Sequence, residues 1–165
     1  MTQPLTPEAL IKALSLEPHP EGGAYRELYR SALRIADRHL ATSIYFLLGP
    51  GEVSAWHRVA HDELWFYHGG SPLRLKGISE DGKHTEILLG LDVLNGQRPQ
   101  GLIPGGDWQA AIPLDPTGWT LVSCVVSPGF DFADFELSDL SAMRERFPNL
   151  THELALKPED ALDPA

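Results

Sequence analysis

GEVSAWHRVAHDELWFYHGG, residues 51–70, carries three of the chain's seven histidines and a glutamate placed just before an aromatic run. Because side chains alternate between the two faces of a strand, His57 and Val59 share one face of a first predicted strand. After a short turn, Glu63 and Tyr67 share a face of the next strand. Paired as a hairpin, the two strands would present an imidazole and a carboxylate among aromatic rings, which is the usual composition of a small-molecule site.

On both sides of this stretch, the chain from residue 42 to residue 130 shows short strand-like runs separated by turns. The turns contain the Gly, Pro, Asn and Asp residues that favour reversals of the backbone. About eight short strands at this spacing predict an all-β sandwich or barrel and not alternating strands and helices. The predicted strands are Thr42–Leu48, Ser54–Arg58, Glu63–His68, Leu73–Ser79, Thr85–Leu89, Gln100–Pro104, Trp108–Ile112 and Trp119–Val126.

Two short helices are predicted to flank the strands. Thr6 is a suitable N-cap with Pro7 at the first helical position, so a helix begins there and ends before Pro18. A second helix is predicted over residues 135–147, where an apolar face precedes Pro148. No linker, repeat or low-complexity tract interrupts the chain, and we therefore expect a single domain over residues 1–165.

The composition disfavours several classes of partner. The chain has 23 acidic and 13 basic residues and a formal charge of −10, so it should be repelled by nucleic acid and by anionic membrane surfaces. It lacks a basic leader followed by a long apolar run, and it lacks an apolar run of ~20 residues that could span a membrane. The one cysteine, Cys124, lies in an apolar run and cannot form an intrachain disulfide. A cytoplasmic protein is expected.

Two predicted strands are apolar on both faces. In Ile44–Leu48 and Leu121–Val126, residues of both parities are mostly hydrophobic, although a strand with one face in water should alternate. A terminal helix or a second subunit must cover the other face. Because one short helix covers only part of a sheet, we expect a homodimer.

The spacing of residues 51–70 resembles the cupin superfamily (RmlC-like proteins). The first cupin motif is a glycine, five residues, His-x-His, three or four residues, Glu, six residues and Gly. This chain has Gly51, His57, Val59, Glu63 and Gly70 at those places. The second motif, Pro-x-Gly-x-x-His, is matched at its first two positions and ends here in an amide, as shown by Pro104, Gly106 and Gln109.

A closer resemblance is to the cupin-5 family, a domain of unknown function. It covers most of the chain, from about residue 18 to residue 148. It implies a double-stranded β-helix, the cupin jelly roll, with short N- and C-terminal helices and a core barrel over about residues 21–137. The family is commonly dimeric and implies no settled reaction. The segments that carry the resemblance are EGGAYRELYRS (21–31), TSIYFLL (42–48), HRVAHDELWFYHGG (57–70), PGGDWQAA (104–111) and VSPGFDFADFEL (126–137).

Two kinds of chemistry are compatible with these residues. A metal site would use His57, Glu63 and Gln109, but Val59 replaces one cupin ligand and an amide replaces another. This set suits at best a weakly bound divalent ion, so no cofactor is expected. In the metal-free alternative, His57 transfers a proton, Glu63 orients it or acts as the base, and Tyr67 is the complementary acid.

We therefore expect a small-molecule-binding cupin, with a metal-independent isomerase or epimerase of a sugar-like or polar metabolite as the leading function. A metal-dependent oxygenase or isomerase and a non-catalytic ligand-binding or structural dimer are the alternatives. Candidate ligand contacts are the aromatic rings that could stack on a substrate, the second-motif amide and an early arginine that could hold an anion. These residues are Tyr45, Trp65, Gln109 and Arg26.

Overall fold

The computed structural model describes residues 5–157 and 160. This part of the chain contains two α-helices, α1 (Pro7–Leu14) and α2 (Leu140–Arg146), and 3-10 turns at Val93–Asn95 and Phe132–Asp134. None of its helices is long and apolar enough to span a bilayer. Its strands are β1 (Glu17–Pro18), β2 (Ala24–Arg30), β3 (Arg34–Ile35), β4 (Arg38–His39), β5 (Thr42–Leu48), β6 (Ser54–Arg58), β7 (Asp62–Gly70), β8 (Leu73–Ile78), β9 (His84–Leu89), β10 (Gln100–Ile103), β11 (Trp108–Pro113), β12 (Thr120–Ser127) and β13 (Glu136–Leu137).

Eleven of these strands form two sheets that face each other, and β3 and β4 pair separately as a two-stranded sheet. The six-stranded sheet has the order β1-β2-β5-β12-β7-β10, and the five-stranded sheet has the order β13-β6-β11-β8-β9. Paired strands run antiparallel, and strands distant in sequence are neighbours in space, as β5 and β12 are. This arrangement is the predicted all-β double-stranded β-helix with short helices at its two ends.

The core between the two sheets is apolar and aromatic. Phe46 and Trp65 lie edge-to-face with ring centroids 5.9 Å apart, and both are fully buried. Leu73, Leu75 and Val122 pack around them. Burying a side chain of this size stabilises a fold by roughly 1.5–3 kcal/mol, and the alternation of apolar residues in these strands therefore determines which face turns inward.

Helix α1 begins as its sequence predicts. The Thr6 hydroxyl accepts a hydrogen bond from the Ala9 amide at 3.2 Å, and Pro7 occupies the first turn, where its missing N–H costs nothing. Leu10 and Leu16 pack against Leu47 on the outer face of β5. The helix therefore covers one end of the six-stranded sheet, as the two-faced apolar pattern of β5 required.

The predicted helix over residues 135–147 is too long. Glu136 and Leu137 are extended and pair with Arg58 and His57, which gives the exposed edge of β6 a backbone partner. Helix α2 begins only after Asp139, whose carboxylate accepts a hydrogen bond from the Ala142 amide at 2.8 Å. The edge of a sheet offers unpaired backbone groups, and satisfying them outweighs the helical pattern of the sequence here.

The C-terminal segment covers the outer face of the five-stranded sheet. Met143, Phe147 and Leu154 pack against Trp56 and Trp108. The Trp56 indole N–H donates to the Leu154 carbonyl at 2.9 Å. Both faces of β6 are therefore buried, and His57 on its inner face is held in a closely packed strand.

Candidate functional site

A cavity of about 120 Å³ opens between the two sheets at one end of the barrel. Residues before β2, strands β2, β5, β6, β7 and β12, and the segment over residues 130–135 contribute its walls. The lining residues are Glu17, His19, Glu21, Tyr25, Glu27, Arg30, Thr42, Ile44, His57, Val59, Glu63, Cys124, Val126, Phe130, Phe132 and Phe135.

Glu21 reaches this cavity because of the two glycines that follow it. Gly22 and Gly23 have φ angles of +110° and +71°, and a Cβ on Gly22 would lie 2.2 Å from the Val53 carbonyl oxygen. Only glycine allows this close approach, which brings the turn against the barrel and turns Glu21 inward. The Ser54 hydroxyl donates to Glu21 Oε1 at 2.9 Å. Burial raises the pKa of Glu21 from 4.5 to about 8.

His57 faces Glu21 across the cavity wall. Its Nδ1 lies 2.8 Å from the Ala55 carbonyl oxygen, so Nδ1 carries a proton and donates it there. Its Nε2 lies 3.1 Å from Glu21 Oε2. Desolvation lowers the pKa of His57, whereas the pKa of Glu21 is raised. Near neutral pH the proton of this pair therefore resides on the carboxyl group, which donates to Nε2.

His19 is a second imidazole beside the same carboxyl group. The Glu21 backbone N–H donates to His19 Nδ1 at 3.3 Å, which makes Nδ1 an acceptor and places the ring proton on Nε2. Burial, followed by repulsion from His57, lowers the pKa of His19 from 6.5 to about 4. The 3.5 Å approach of His19 Nδ1 to Glu21 Oε2 is therefore a contact of a neutral ring and no ion pair at neutral pH.

Glu63 is held by a relay of neutral hydrogen bonds. The Trp65 indole N–H donates to Gln109 Oε1 at 3.0 Å, and Gln109 Nε2 donates to Glu63 Oε2 at 2.5 Å. The orientation of the Gln109 amide follows from this chain, because an indole can only donate. Burial raises the pKa of Glu63 from 4.5 to about 7, and the proximity of His57 opposes this rise. The cavity thus contains two carboxyl groups with pKa values near neutrality, Glu21 and Glu63, beside the neutral imidazole of His57.

The donor set does not fit a bound metal ion of the cupin type. Both polar atoms of the Gln109 amide are already hydrogen-bonded, to Trp65 and Glu63, and Val59 carries no donor atom. Across residues 5–157 and 160, no three His, Cys, Asp or Glu side chains are grouped so that they could hold a metal. The alternative metal set of His57, Glu63 and Gln109 is therefore not assembled as ligands, because Gln109 serves to position Glu63.

Tyr67, the predicted complementary acid, lies outside the cavity. Its hydroxyl donates to the Gly70 carbonyl at 2.6 Å. Each strand residue advances the chain by about 3.3 Å, so the four residues between Glu63 and Tyr67 separate them by roughly 13 Å along β7. Equal parity placed both residues toward the same face but not at the same depth.

The other predicted ligand residues are also displaced from the cavity. Arg26 and Tyr45 are direct partners in the pairing of β2 and β5, with the opposite parity to the lining residues Tyr25 and Ile44. Arg26 donates to the Leu14 carbonyl at 3.3 Å, and Tyr45 packs beside α1. Trp65 lies in the core behind Glu63 and reaches the site only through Gln109.

Sequence patterns alone do not identify Glu21, His19 and the phenylalanines at positions 130, 132 and 135 as site residues. HPEGGAY (19–25) predicts a turn, and the phenylalanines fit core packing and a helix. One signal is nevertheless present. A glutamate directly before two glycines, with a histidine of the same parity, indicates a strained turn that carries titratable groups.

Comparisons with known proteins agree with this architecture. The model of the Cupin_5 family, described as cupin superfamily (DUF985), matches residues 8–138. An uncharacterised protein of Saccharomyces cerevisiae is 28% identical over 150 residues, which cover 79% of this chain and 74% of the yeast protein. A crystal structure of a Shewanella oneidensis protein shares 40% identity at a TM-score of 0.87, covering 98% of this chain and all of that one.

Two further structures extend the comparison. A hypothetical protein from Leishmania major is 36% identical with a TM-score of 0.84, covering 96% of this chain and 100% of that one. Bacillus subtilis oxalate decarboxylase matches at 15% identity and a TM-score of 0.55, over 85% of this chain and 37% of its own, which shows a shared fold alone. The family match spans most of the chain and the jelly roll is present. The chain therefore belongs to the Cupin_5 (DUF985) family of the cupin superfamily.

Proposed function

We propose that the protein binds a small polar metabolite in the cavity and transfers protons on it without a metal, as an isomerase or epimerase does. The observation that carries this proposal is the 3.1 Å contact between Glu21 Oε2 and His57 Nε2, with Glu63 on the wall of the same cavity. Epimerisation beside a carbonyl requires a base that removes a proton and an acid that protonates the oxygen or the opposite face.

The two carboxyl groups suit these different roles. With its pKa raised to about 7, Glu63 is ionised in part at neutral pH and strong enough to act as the base. Glu21, with its pKa raised to about 8, keeps its proton and shares it with His57, so this pair is the acid. Pairs of titratable groups with separated pKa values are the usual arrangement for acid–base catalysis. Glu21 thus takes the role that the sequence assigned to Tyr67.

The cavity volume limits the substrate. About 120 Å³ corresponds to roughly four water molecules of ~30 Å³ each. A metabolite of a few carbon atoms, or one end of a larger molecule, can enter it. The walls exclude most water from Glu63, which strengthens its electrostatic effect on a bound substrate.

Solvent deuterium exchange tests the proposal across many compounds at once, so the substrate need not be identified first. The protein is incubated in D2O with a panel of hydroxyketones, hydroxyaldehydes, sugars and amino sugars, and proton NMR follows the loss of signals beside the carbonyl. We expect exchange with at least one compound, and a decrease of about 10²-fold or more in Glu63→Gln and His57→Gln. His152→Gln, on the exposed C-terminal segment, is the matched control and should leave exchange unchanged.

The same exchange experiment distinguishes the proposed function from the metal-dependent enzyme and from the non-catalytic binder. Exchange that survives both cavity substitutions would place the chemistry elsewhere. Exchange that requires an added divalent metal would favour a metal-dependent cupin enzyme. A compound that binds and shows no exchange or turnover would make the protein a non-catalytic binder.

We also propose that the protein is a homodimer formed through the outer face of the six-stranded sheet. Leu64 pairs with Val125 on one side and with Leu102 on the other, and these three residues have the parity opposite to the core. Leu102 is 46% exposed, and Leu64 and Val125 are half-buried. Helix α1 packs on the Leu47 end of this sheet and leaves the Leu64 end to a partner.

A cytoplasmic setting is also proposed, and the free, buried Cys124 is compatible with it.

A further inference from the structure

Aromatic rings form one side of the candidate cavity. The ring centroids of Phe130, Phe132 and Phe135 are separated by 4.9, 6.0 and 6.2 Å, so the three rings form a compact cluster at its wall. Phe132 is half-exposed at the mouth, and Phe135 lies 5.6 Å from the His57 ring. The face of an aromatic ring is electronegative and attracts a cation placed over it.

Acidic residues form the other side, where Glu21 keeps its proton near neutral pH and Glu63 is ionised in part without a cation beside it. Among the described residues that line the cavity, Arg30 is the only lysine or arginine, and its guanidinium is bound by both oxygens of Glu27 at 2.9 and 2.7 Å and by the Phe130 carbonyl at 3.1 Å. His19 and His57 are neutral imidazoles near neutral pH, since burial lowers the pKa of each. Glu63 is only 7% exposed and has neutral partners, the Gln109 amide and the Cys124 thiol.

A buried carboxylate without a cation costs several kcal/mol unless a proton or a ligand neutralises it. An anionic ligand would add to that charge. A cationic ligand would suit both walls, because the ionised Glu63 carboxylate would neutralise its charge and the phenyl rings would pack against its alkyl groups. The cavity is therefore complementary to positive charge carried on a small organic group.

We infer that the cavity binds a small organic ammonium compound, with the ammonium group between Glu63 and the cluster of Phe130, Phe132 and Phe135. This inference rests on the proposed function, since it names the substrate class of the same site. Glu17 at the rim adds to the negative field that draws a cation toward the mouth.

Isothermal calorimetry with matched probes tests the inference. Choline and ethanolamine are the cations, 3,3-dimethylbutan-1-ol is the neutral molecule with the shape of choline, and acetate is the anion. We expect choline or ethanolamine to bind and the neutral and anionic probes to bind at least ~10-fold more weakly. Equal binding of choline and its neutral counterpart, preference for acetate, or no binding of either cation at ~10 mM would overturn the inference.

Substitutions then locate the binding groups. Glu63→Gln removes the charge and keeps the shape, and Phe132→Leu removes the aromatic face and keeps an apolar side chain at the mouth. Each should weaken cation binding by about 5- to 30-fold, whereas Phe132→Tyr should retain it. Glu80→Gln, on an exposed turn, is the matched control for charge and should have no effect.

Calorimetry with divalent zinc and manganese tests whether the site prefers a metal ion to an organic cation. Metal binding that depends on Glu63 and not on Phe132, in the absence of choline binding, would replace the organic cation by a metal ion. Because calorimetry does not require turnover, it can refute the ammonium site without bearing on the isomerase function. Cation binding without deuterium exchange would refute the isomerase function and support the ammonium site. Deuterium exchange on neutral sugars without cation binding would support the isomerase function and refute the ammonium site.

Discussion

Glu21 and His57 hold a single proton between them in a part of the barrel that water hardly reaches. Their 3.1 Å separation and the Ser54 hydrogen bond to Glu21 fix the geometry. Desolvation dominates both shifts, raising the pKa of the acid and lowering that of the base. The pair is therefore electrically neutral near pH 7, which is the state of lowest cost for two titratable groups in an apolar cavity.

This arrangement predicts how stability depends on pH. The unfolded chain releases the Glu21 proton near pH 4.5, whereas the folded protein keeps it to about pH 8. The folded state binds more protons in that window, so this group makes stability fall as pH rises through it. Histidines with lowered pKa values act in the opposite direction below about pH 6.5. Wild-type stability should therefore be greatest near pH 6.5 and decrease toward pH 8.

Glu21→Gln should remove the contribution of Glu21 to that decrease, which extends up to about pH 8, and leave the contribution of Glu63, which ends near pH 7. Between pH 6 and pH 9 the variant should gain roughly 2 kcal/mol of unfolding free energy relative to wild type. Urea denaturation at several pH values measures the difference, with exposed Glu80→Gln as the control. A variant whose stability runs parallel to wild type across this range would show that Glu21 ionises normally in the folded protein.

The Gly22 backbone is a second residue-scale determinant of the site. Gly22→Ala would place a methyl group 2.2 Å from the Val53 carbonyl oxygen at a φ of +110°, so the turn must move. We expect a loss of ~3 kcal/mol or more in unfolding free energy, and a displaced Glu21. Gly51→Ala is the matched control. Gly51 also has positive φ, at +72°, but no atom lies within 4 Å of the added Cβ, so only ~1 kcal/mol should be lost.

At the scale of elements, local signals predict the central strands well and the C-terminal region poorly. β5 and β6 have the predicted bounds, and the turn at residues 49–51, Gly-Pro-Gly, marks the end of the first strand and the approach to the second. β13 has only two residues and forms because β6 offers an unpaired edge, which a local pattern does not contain. The predicted helix over residues 135–147 is therefore wrong over its first five residues, and that region supplies Phe135 to the cavity.

Lys76 of the five-stranded sheet binds the C-terminal segment through hydrogen bonds. Its buried ammonium group donates to the Glu153 carbonyl at 2.6 Å and to the Ala155 carbonyl at 3.0 Å. Lys76→Met keeps the apolar stem and removes both hydrogen bonds, so it should cost about 2–3 kcal/mol. Hydrogen exchange should accelerate over residues 150–157 and remain unchanged in β5. Exposed Lys83→Met is the control, and equal stability of the two variants would contradict the role of Lys76.

At the scale of the molecule, the jelly roll brings together side chains that are distant in sequence. Glu21 and His57 lie 36 positions apart, before β2 of one sheet and on β6 of the other. Parity correctly placed His57 and Glu63 at the cavity, since both belong to one predicted hairpin. Strand parity could not predict that Glu21 lines the cavity, because this depends on how the two sheets face each other. It also could not show that Tyr67 lies too far along its strand.

The outer face of the six-stranded sheet gives the last prediction, which concerns assembly. Leu64 and Phe66 of β7 lie on the face away from the core, where Leu64 is flanked by Leu102 and Val125 of the neighbouring strands. Two copies related by a two-fold axis can bury this apolar surface against itself, and light scattering should give twice the chain mass of 18.2 kDa. Replacing both Leu64 and Phe66 by Glu would oppose four carboxylates across that axis and should yield a folded monomer. Leu94→Glu, at a 98% exposed turn, should leave the dimer intact. A wild-type protein that is monomeric at micromolar concentration would refute this assembly, whereas a double variant that stays dimeric would move the contact to another face.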